Sequence, residues 1–155
     1  NLHLMIPFCR TTDELKKVCQ LLTKFGLKRS ATFHLWMMCE IPANVILLDK
    51  FIEVGLDGIS VGSNDLTMLT LGVDRDNENI ASEYDEQNPA VLHSLYKIIK
   101  TCQKYKVTCS ICGQAPSDYP NLTEKLVKWG ITSISVNPDV LERTRQIVYD
   151  CEQNH

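Results

Sequence analysis

Two polar turns follow apolar stretches of the chain, and their residue types are suited to binding a metal ion beside an anion. Residues 36–39 run into Glu40, and residues 59–61 run into a glycine turn that ends at Asp65. Because hard divalent cations prefer carboxylate oxygens, Glu40 and Asp65 are predicted ligands for Mg²⁺ or Mn²⁺. The alternative is that Glu40 is a surface carboxylate and that Asp65 caps the following helix.

Three further groups are candidates for the same site. Arg75 has acidic sequence neighbours, so an exposed ion pair is the simplest interpretation, but a guanidinium also binds phosphate or carboxylate through two hydrogen bonds. Arg10 follows the first predicted strand and could do the same. Cys112 ends a predicted strand, where a thiol could act as an acid–base group; an inert buried thiol is the alternative. Strand alternation places Cys109 on the opposite face, which argues against a redox or zinc pair.

Composition and charge argue against nucleic-acid and membrane partners and against a disulfide scaffold. The net charge of −3 over 155 residues gives no electrostatic case for a nucleic-acid or anionic-membrane partner. No apolar run approaches the ~20 residues that a membrane helix needs. The chain has seven cysteines, an odd number that is scattered over predicted strands and helices alike. This pattern favours a reduced, cytoplasmic protein over a disulfide scaffold. The histidines show no catalytic spacing and are expected in core, surface or tail positions: His3, His34, His93 and His155.

Hydrophobic periodicity predicts five strand–helix units in strict alternation. Apolar runs indicate strands at residues 2–8, 33–39, 59–61, 107–112 and 131–136. Helical spacing and capping residues indicate helices that begin near Thr11, Pro42, Leu66, Asn88, Leu122 and Asn137. Residues 72–87 form a long acidic loop, a length often found in lids and binding loops.

Alternating units of this kind build either a doubly wound sheet or a β/α barrel. The strands lack a clear period of two, so both faces of the sheet are expected to be covered. Neither end of the chain resembles a domain edge. Since a complete barrel takes ~250 residues, five units would be roughly three-fifths of one.

Five ordered motifs resemble the carboxyl-terminal part of the phosphoenolpyruvate (PEP)-utilising enzymes. They are MIPFCRT, MCEIPAN, DGISVGSNDLTMLTLGVDRDN, ICGQAPSDYPNL and SISVNPDVLERT, and they span nearly the whole chain. The family includes phosphoenolpyruvate synthase, which these motifs resemble, pyruvate phosphate dikinase and enzyme I of the sugar phosphotransferase system. The resemblance implies an α/β fold, the last five strands of a TIM-type (β/α)8 barrel, with residues 1–155 as a partial PEP/pyruvate-binding domain.

Carried over residue by residue, the resemblance implies that Glu40 and Asp65 hold Mg²⁺. Asn64, with backbone groups around Gly62 and Ser63, would hold the carboxylate of the substrate. A Lewis acid in this place would stabilise the negative charge of an enolate oxygen.

The resemblance also implies that Arg75 binds the phosphoryl group and that Cys112 moves the proton at the methyl carbon of the pyruvate enolate. The expected reaction converts pyruvate, ATP and water to PEP, AMP and phosphate, a gluconeogenic step. The phosphoryl group would come from a phosphohistidine on another domain, and ATP would bind to a third. The isolated chain is therefore not expected to run the reaction. Met68 stands where the family usually has Gln.

Two rival functions stay open. A related Mg²⁺-dependent lyase or aldolase of 2-oxo acids would use the same carboxylates without phosphoryl transfer. A half-barrel could also persist as a binding module without catalysis. Independently of these rivals, an open sheet with exposed edge strands invites self-association, so a homodimer is expected.

Overall fold

The computed structural model describes residues 1–153 and contains one five-stranded parallel sheet. Its strands are β1 (Leu2–Ile6), β2 (Phe33–Cys39), β3 (Gly58–Gly62), β4 (Thr108–Cys112) and β5 (Ser133–Ile134). All five predicted strands are confirmed, although β5 is much shorter than expected. It pairs only through Ser133 and Ile134, because its single neighbour, β4, ends at Cys112 and turns away at Gly113.

Eight helices connect and follow the strands within the described residues: α1 (Thr12–Lys24), α2 (Pro42–Ile46), α3 (Leu48–Glu53), α4 (Ser63–Leu71), α5 (Pro89–Tyr105), α6 (Ala115–Asp118), α7 (Pro120–Trp129) and α8 (Leu141–Gln153). The helix predicted to begin near Pro42 is divided at Leu47, whose backbone leaves the helical region with φ −113° and ψ 28°. Helix α4 begins three residues earlier than predicted, directly after β3. The loop over residues 72–88 contains one short 3₁₀ turn, Ala81–Glu83.

Strand order decides between the two candidate architectures. A doubly wound sheet reverses its strand order at a switch point. Here the order is strictly sequential, β1 to β5, and every neighbouring pair is parallel. Right-handed crossovers then place the connecting helices on one side of the sheet, as in a (β/α)8 barrel.

The expectation that both faces of the sheet are covered is wrong. Along β2 every second residue, from Phe33 to Cys39, is buried, whereas the residues between them, including Trp36 and Met38, are only half-buried. On the same open face, Thr108 of β4 and Ser133 of β5 are exposed. Sequence alternation was hidden because Trp36 and Met38 are as apolar as their buried neighbours. This open face corresponds to the inner wall of a barrel.

The buried face carries the main core. Helix α5 packs Leu95, Ile98 and Ile99 against the sheet, each almost completely buried. Asn88 caps this helix, accepting a hydrogen bond from the Ala90 N–H at 2.9 Å. Packing of α5 against the sheet fixes the strands and so positions the groups at their carboxyl ends.

Within residues 1–153 no helix combines the length and the apolarity required to cross a membrane.

Candidate active site

The carboxyl ends of β2, β3 and β4 bring the predicted residues together. Gly62 pairs with Cys112 across β3 and β4, and Cys39, which precedes Glu40, pairs with Val61. Strand alternation then puts Glu40, Gly62 and Cys112 on the open face. A Cβ placed on Gly62 would lie 2.8 Å from Glu40 Oε2, so the absence of a side chain there leaves space beside the carboxylate.

Glu40 is a buried carboxylate, so the alternative that it lies at the surface is wrong. Its residue is 6% exposed, and Oε1 accepts a hydrogen bond from the Phe8 N–H at 2.8 Å. Burial raises the pKa of Glu40, the negative charge of Asp65 raises it further, and the Phe8 N–H lowers it. A buried carboxylate beside another negative charge would be stabilised by a bound cation.

The alternative role for Asp65 is also wrong, because Gly62 occupies the N-cap position of α4 and no side chain caps the helix. Asp65 lies in the first turn instead. No group of three or more His, Cys, Asp or Glu side chains suited to a metal ion occurs among residues 1–153. Mg²⁺ nevertheless commonly takes one or two carboxylates and completes its shell with water and substrate oxygens. The pair Glu40 and Asp65, with the space beside Gly62, therefore fits Mg²⁺.

Helix α4 supplies donors for an anion. Its first-turn N–H groups have no intrahelical partner and no capping side chain, so the positive end of the helix dipole is available at the carboxyl edge of the sheet. Asn64 Oδ1 accepts a weak hydrogen bond from the Gln114 N–H at 3.4 Å, which leaves the side-chain N–H₂ group to donate elsewhere. Ser63 is 1% exposed, and its Oγ is buried without a hydrogen-bond partner of normal geometry.

Cys112 is half-buried on the open face, and its thiol is set among polar and sulfur atoms. The Ser60 hydroxyl donates to Sγ at 3.7 Å, and Sγ lies 3.5 Å from the Val61 carbonyl oxygen and 3.8 Å from Met38 Sδ. Cys109 is 2% exposed on the helix-covered face, as alternation predicted. All seven cysteines are free thiols. Cys112 is thus the strand-end thiol with access to the candidate site.

The two arginines differ in their contacts. Arg75 extends from the acidic loop to the turn after β4, where Nη1 donates to Gln114 Oε1 at 3.4 Å. It forms no ion pair within 4.0 Å in the described part of the chain, contrary to the simplest interpretation of its acidic neighbours. Arg10 lies at the carboxyl end of β1, with its guanidinium 5.4 Å from the centroid of Phe8 and 4.0 Å from Glu14 Oε1.

Sequence reasoning missed several buried polar residues, among them Asn44 and Glu86. Asn44 is fully buried; its Nδ2 donates to the Cys9 carbonyl at 2.7 Å, and its Oδ1 accepts from the Ile41 N–H at 3.2 Å. The signal was available, because a helix beginning at Pro42 after an apolar residue lacks a capping side chain. Glu86, in the acidic loop, is 3% exposed. Nothing in its sequence neighbourhood separates it from exposed acidic residues.

The histidines lie away from this group. His3 and His34 contact each other towards the amino-terminal ends of β1 and β2, with ring centroids 4.6 Å apart and ring planes inclined by 40°. His93 is exposed on α5. His155 lies outside the described residues.

Comparison with known proteins fits this geometry. The model of the family described as "PEP-utilising enzyme, PEP-binding domain" matches residues 1–153. The chain is 51% identical over 154 residues to phosphoenolpyruvate synthase of Helicobacter pylori and 46% identical over 154 residues to that of Aquifex aeolicus. These matches cover 99% of this chain but only 19% and 18% of the relatives, so the chain spans about a fifth of their length.

Among solved structures, a citrate lyase from Burkholderia xenovorans LB400 has a TM-score of 0.67 at 15% identity. That match covers 94% of this chain and 48% of the other, and at this identity it supports the fold alone. The family match extends over residues 1–153 and includes every candidate residue described above. The chain therefore belongs to the PEP-binding domain family of the PEP-utilising enzymes.

Proposed function

We propose that this chain forms the metal-binding, carboxylate-binding and proton-transfer part of a phosphoenolpyruvate synthase-like enzyme. The observation that carries the proposal is the buried Glu40 carboxylate, whose Oε2 borders the space at Gly62, the residue from which the uncapped helix α4 begins with Asp65 in its first turn. The identity of about half to the synthases over 99% of the chain supports the same function. The family resemblance supplies the assignment of roles.

Glu40 and Asp65 would hold Mg²⁺, which stabilises the negative charge on the enolate oxygen when bound. The first-turn N–H groups of α4 and the Asn64 amide would bind the carboxylate of pyruvate or PEP. A substrate bound in this way would have its methyl carbon on the open face of the sheet, where Cys112 lies.

Cys112 Sγ would take a proton from the methyl carbon of pyruvate as the enolate forms, and would return it in the reverse direction. Arg75 would bind the phosphoryl group as it passes to the enolate oxygen. The phosphoryl donor would be a phosphohistidine on another domain, charged from ATP on a third. The isolated chain would therefore not complete the reaction, and Arg10 would contribute positive charge at the edge of the site.

The test is a hybrid enzyme in which this chain replaces the matching 154 residues of the H. pylori synthase. We expect the hybrid to form PEP from pyruvate in an ATP- and Mg²⁺-dependent manner, and Asp65→Asn to remove that activity. A folded hybrid that forms no PEP would contradict the proposal. Cleavage of a 2-oxo acid by the same hybrid would favour the lyase alternative, which has only a likeness of fold behind it.

Two further expectations belong to the same proposal. The enzyme would be cytoplasmic. Self-association would use the edge strands β1 and β5, each of which has one neighbour in the described sheet. Light scattering that gives a single monomeric mass would exclude the homodimer.

A further inference from the structure

Gln114, in the turn after β4, lies between the side chains that the proposed function assigns to the two anionic groups of PEP. Its backbone N–H donates to Asn64 Oδ1 at 3.4 Å, and its side-chain Oε1 accepts a hydrogen bond from Arg75 Nη1, also at 3.4 Å. Asn64 is assigned to the substrate carboxylate and Arg75 to the phosphoryl group. Gln114 therefore contacts both parts of the anion site, although the proposed function gives it no role.

Arg75 is exposed on the loop over residues 72–88, and few contacts restrain its side chain. In the described part of the chain its guanidinium has the hydrogen bond to Gln114 and no ion pair within 4.0 Å. A long arginine side chain loses much rotational freedom when it binds an anion. A hydrogen bond that already holds the guanidinium at the carboxyl edge of the sheet reduces this loss on binding.

The backbone that carries Gln114 is itself anchored. The Ser117 N–H donates to the Gln114 carbonyl at 2.9 Å. Ser117 is buried; its Oγ accepts from the Asn137 N–H at 3.0 Å, and its carbonyl accepts from Arg143 Nη2 at 2.7 Å. These contacts connect the turn after β4 to the segment after β5 and to α8. The turn therefore provides a fixed point from which the side chain of Gln114 reaches the loop.

The side chain of Gln114 is chemically suited to orienting an arginine. A guanidinium has five N–H donors, so one hydrogen bond to Gln114 leaves the others for phosphoryl oxygens. The amide oxygen carries no net charge, so it does not neutralise the positive charge of Arg75 as a carboxylate would. Gln114 can thus hold the guanidinium without competing with an anionic substrate for its charge.

We propose that Gln114 is a positioning residue that makes the site selective for the phosphorylated substrate: it holds the Arg75 guanidinium where the phosphoryl group of PEP binds. This inference rests on the proposed function. Pyruvate has no phosphoryl group, so Gln114 contributes to the binding of PEP and not to that of pyruvate. Its contact with Asn64 uses the backbone N–H, so a change of the side chain removes the contact with Arg75 alone.

The test measures the Kd of PEP by calorimetric titration of the hybrid enzyme with Mg²⁺ present, together with the KM for pyruvate. Gln114→Met keeps the length of the side chain and removes the acceptor for Arg75. We expect the Kd of PEP to rise about three- to tenfold, the effect of one lost hydrogen bond, and the KM for pyruvate to change less than about twofold. Gln20→Met, at an exposed position of α1, is the matched control and should bind PEP as the unsubstituted hybrid does.

Two further variants show whether Gln114 acts through Arg75. Gln114→Asn keeps the amide but withdraws it by one methylene group, and it should give the same selective loss of PEP binding. In an Arg75→Ala background, Gln114→Met should raise the Kd of PEP no further, because the group that it positions is already gone. A further loss in that background would overturn the proposal, as would equal losses for PEP and pyruvate, which a distorted turn would produce.

The outcomes also separate this inference from the proposed function. An unsubstituted hybrid that neither binds nor forms PEP would overturn both. A hybrid that forms PEP, and whose Kd for PEP is unchanged by Gln114→Met, would overturn this inference alone.

Discussion

The close approach of Gly113 to α4 leads to a quantitative prediction. Gly113 follows Cys112 and has φ +105°, a value that side-chain-bearing residues rarely adopt. In Gly113→Ala the new Cβ would lie 2.3 Å from Ser63 Oγ and 3.1 Å from Asn64 Oδ1. The first distance is far shorter than a van der Waals contact, so either the turn or the start of α4 must move.

The expected loss has two parts. Placing Ala in the left-handed region costs about 1–2 kcal/mol. Overpacking against a confined group costs about 1–3 kcal/mol more. Gly72→Ala isolates the first part, because Gly72 is also left-handed, at φ +66°, but has no atom within 4 Å of the added Cβ. Gly113→Ala should therefore lower the free energy of unfolding by about 1–3 kcal/mol more than Gly72→Ala does.

The assay is urea denaturation of the two variants and the unsubstituted chain, with the transition followed by circular dichroism. The slope of the transition should be the same in all three, so that the midpoints report stability alone. Equal losses for Gly113→Ala and Gly72→Ala would refute the reasoning, because they would mean that the turn after β4 does not press on Ser63.

Three other substitutions are expected to have distinct effects. Asn44→Ala should cost about 2–4 kcal/mol because it leaves several buried backbone groups without partners, whereas Asn79→Ala, in the exposed loop, should change the urea midpoint little. The Arg29 guanidinium donates hydrogen bonds to Asp57 and lowers the pKa of that carboxyl group. The unsubstituted chain should therefore be more stable than Asp57→Asn above the unfolded pKa of about 3.9, and this difference in the free energy of unfolding should decline as the pH falls below that value. A difference that does not change with pH would contradict this. Cys112→Ser in the hybrid should lower kcat about 10²- to 10⁴-fold with little change in the KM for pyruvate, and near-normal turnover would exclude Cys112 as the acid–base group.

The sequence was sufficient for the succession of strands and helices, because proline and glycine mark the ends of apolar segments clearly. Pro42 and Pro89 begin helices α2 and α5, and Gly130 ends α7 in a left-handed cap, as expected. The candidate residues Glu40 and Asp65 were identified because strand ends in α/β proteins meet at one edge. Because β2 and β3 are parallel neighbours, both residues follow strands that end at the same edge of the sheet.

Burial could not be predicted where it depends on distant contacts. Glu86 and Asp85 are adjacent acids in the same loop, yet Glu86 is buried and Asp85 is exposed, and no local pattern in the sequence distinguishes them. The open face of the sheet was missed because it carries apolar residues that are not fully buried. Trp36 is as apolar as a core residue, but its side chain is only half-buried on the open face of the sheet.

The most direct test of the metal and substrate site is calorimetric titration of PEP into the hybrid enzyme, with and without Mg²⁺, in parallel with Asp65→Asn. We predict Mg²⁺-dependent binding that Asp65→Asn abolishes, because the carboxylate pair and the first turn of α4 bind the metal and the substrate together. Binding that is equally tight without Mg²⁺, or that survives Asp65→Asn unchanged, would contradict the assignment of Glu40 and Asp65 as the metal ligands.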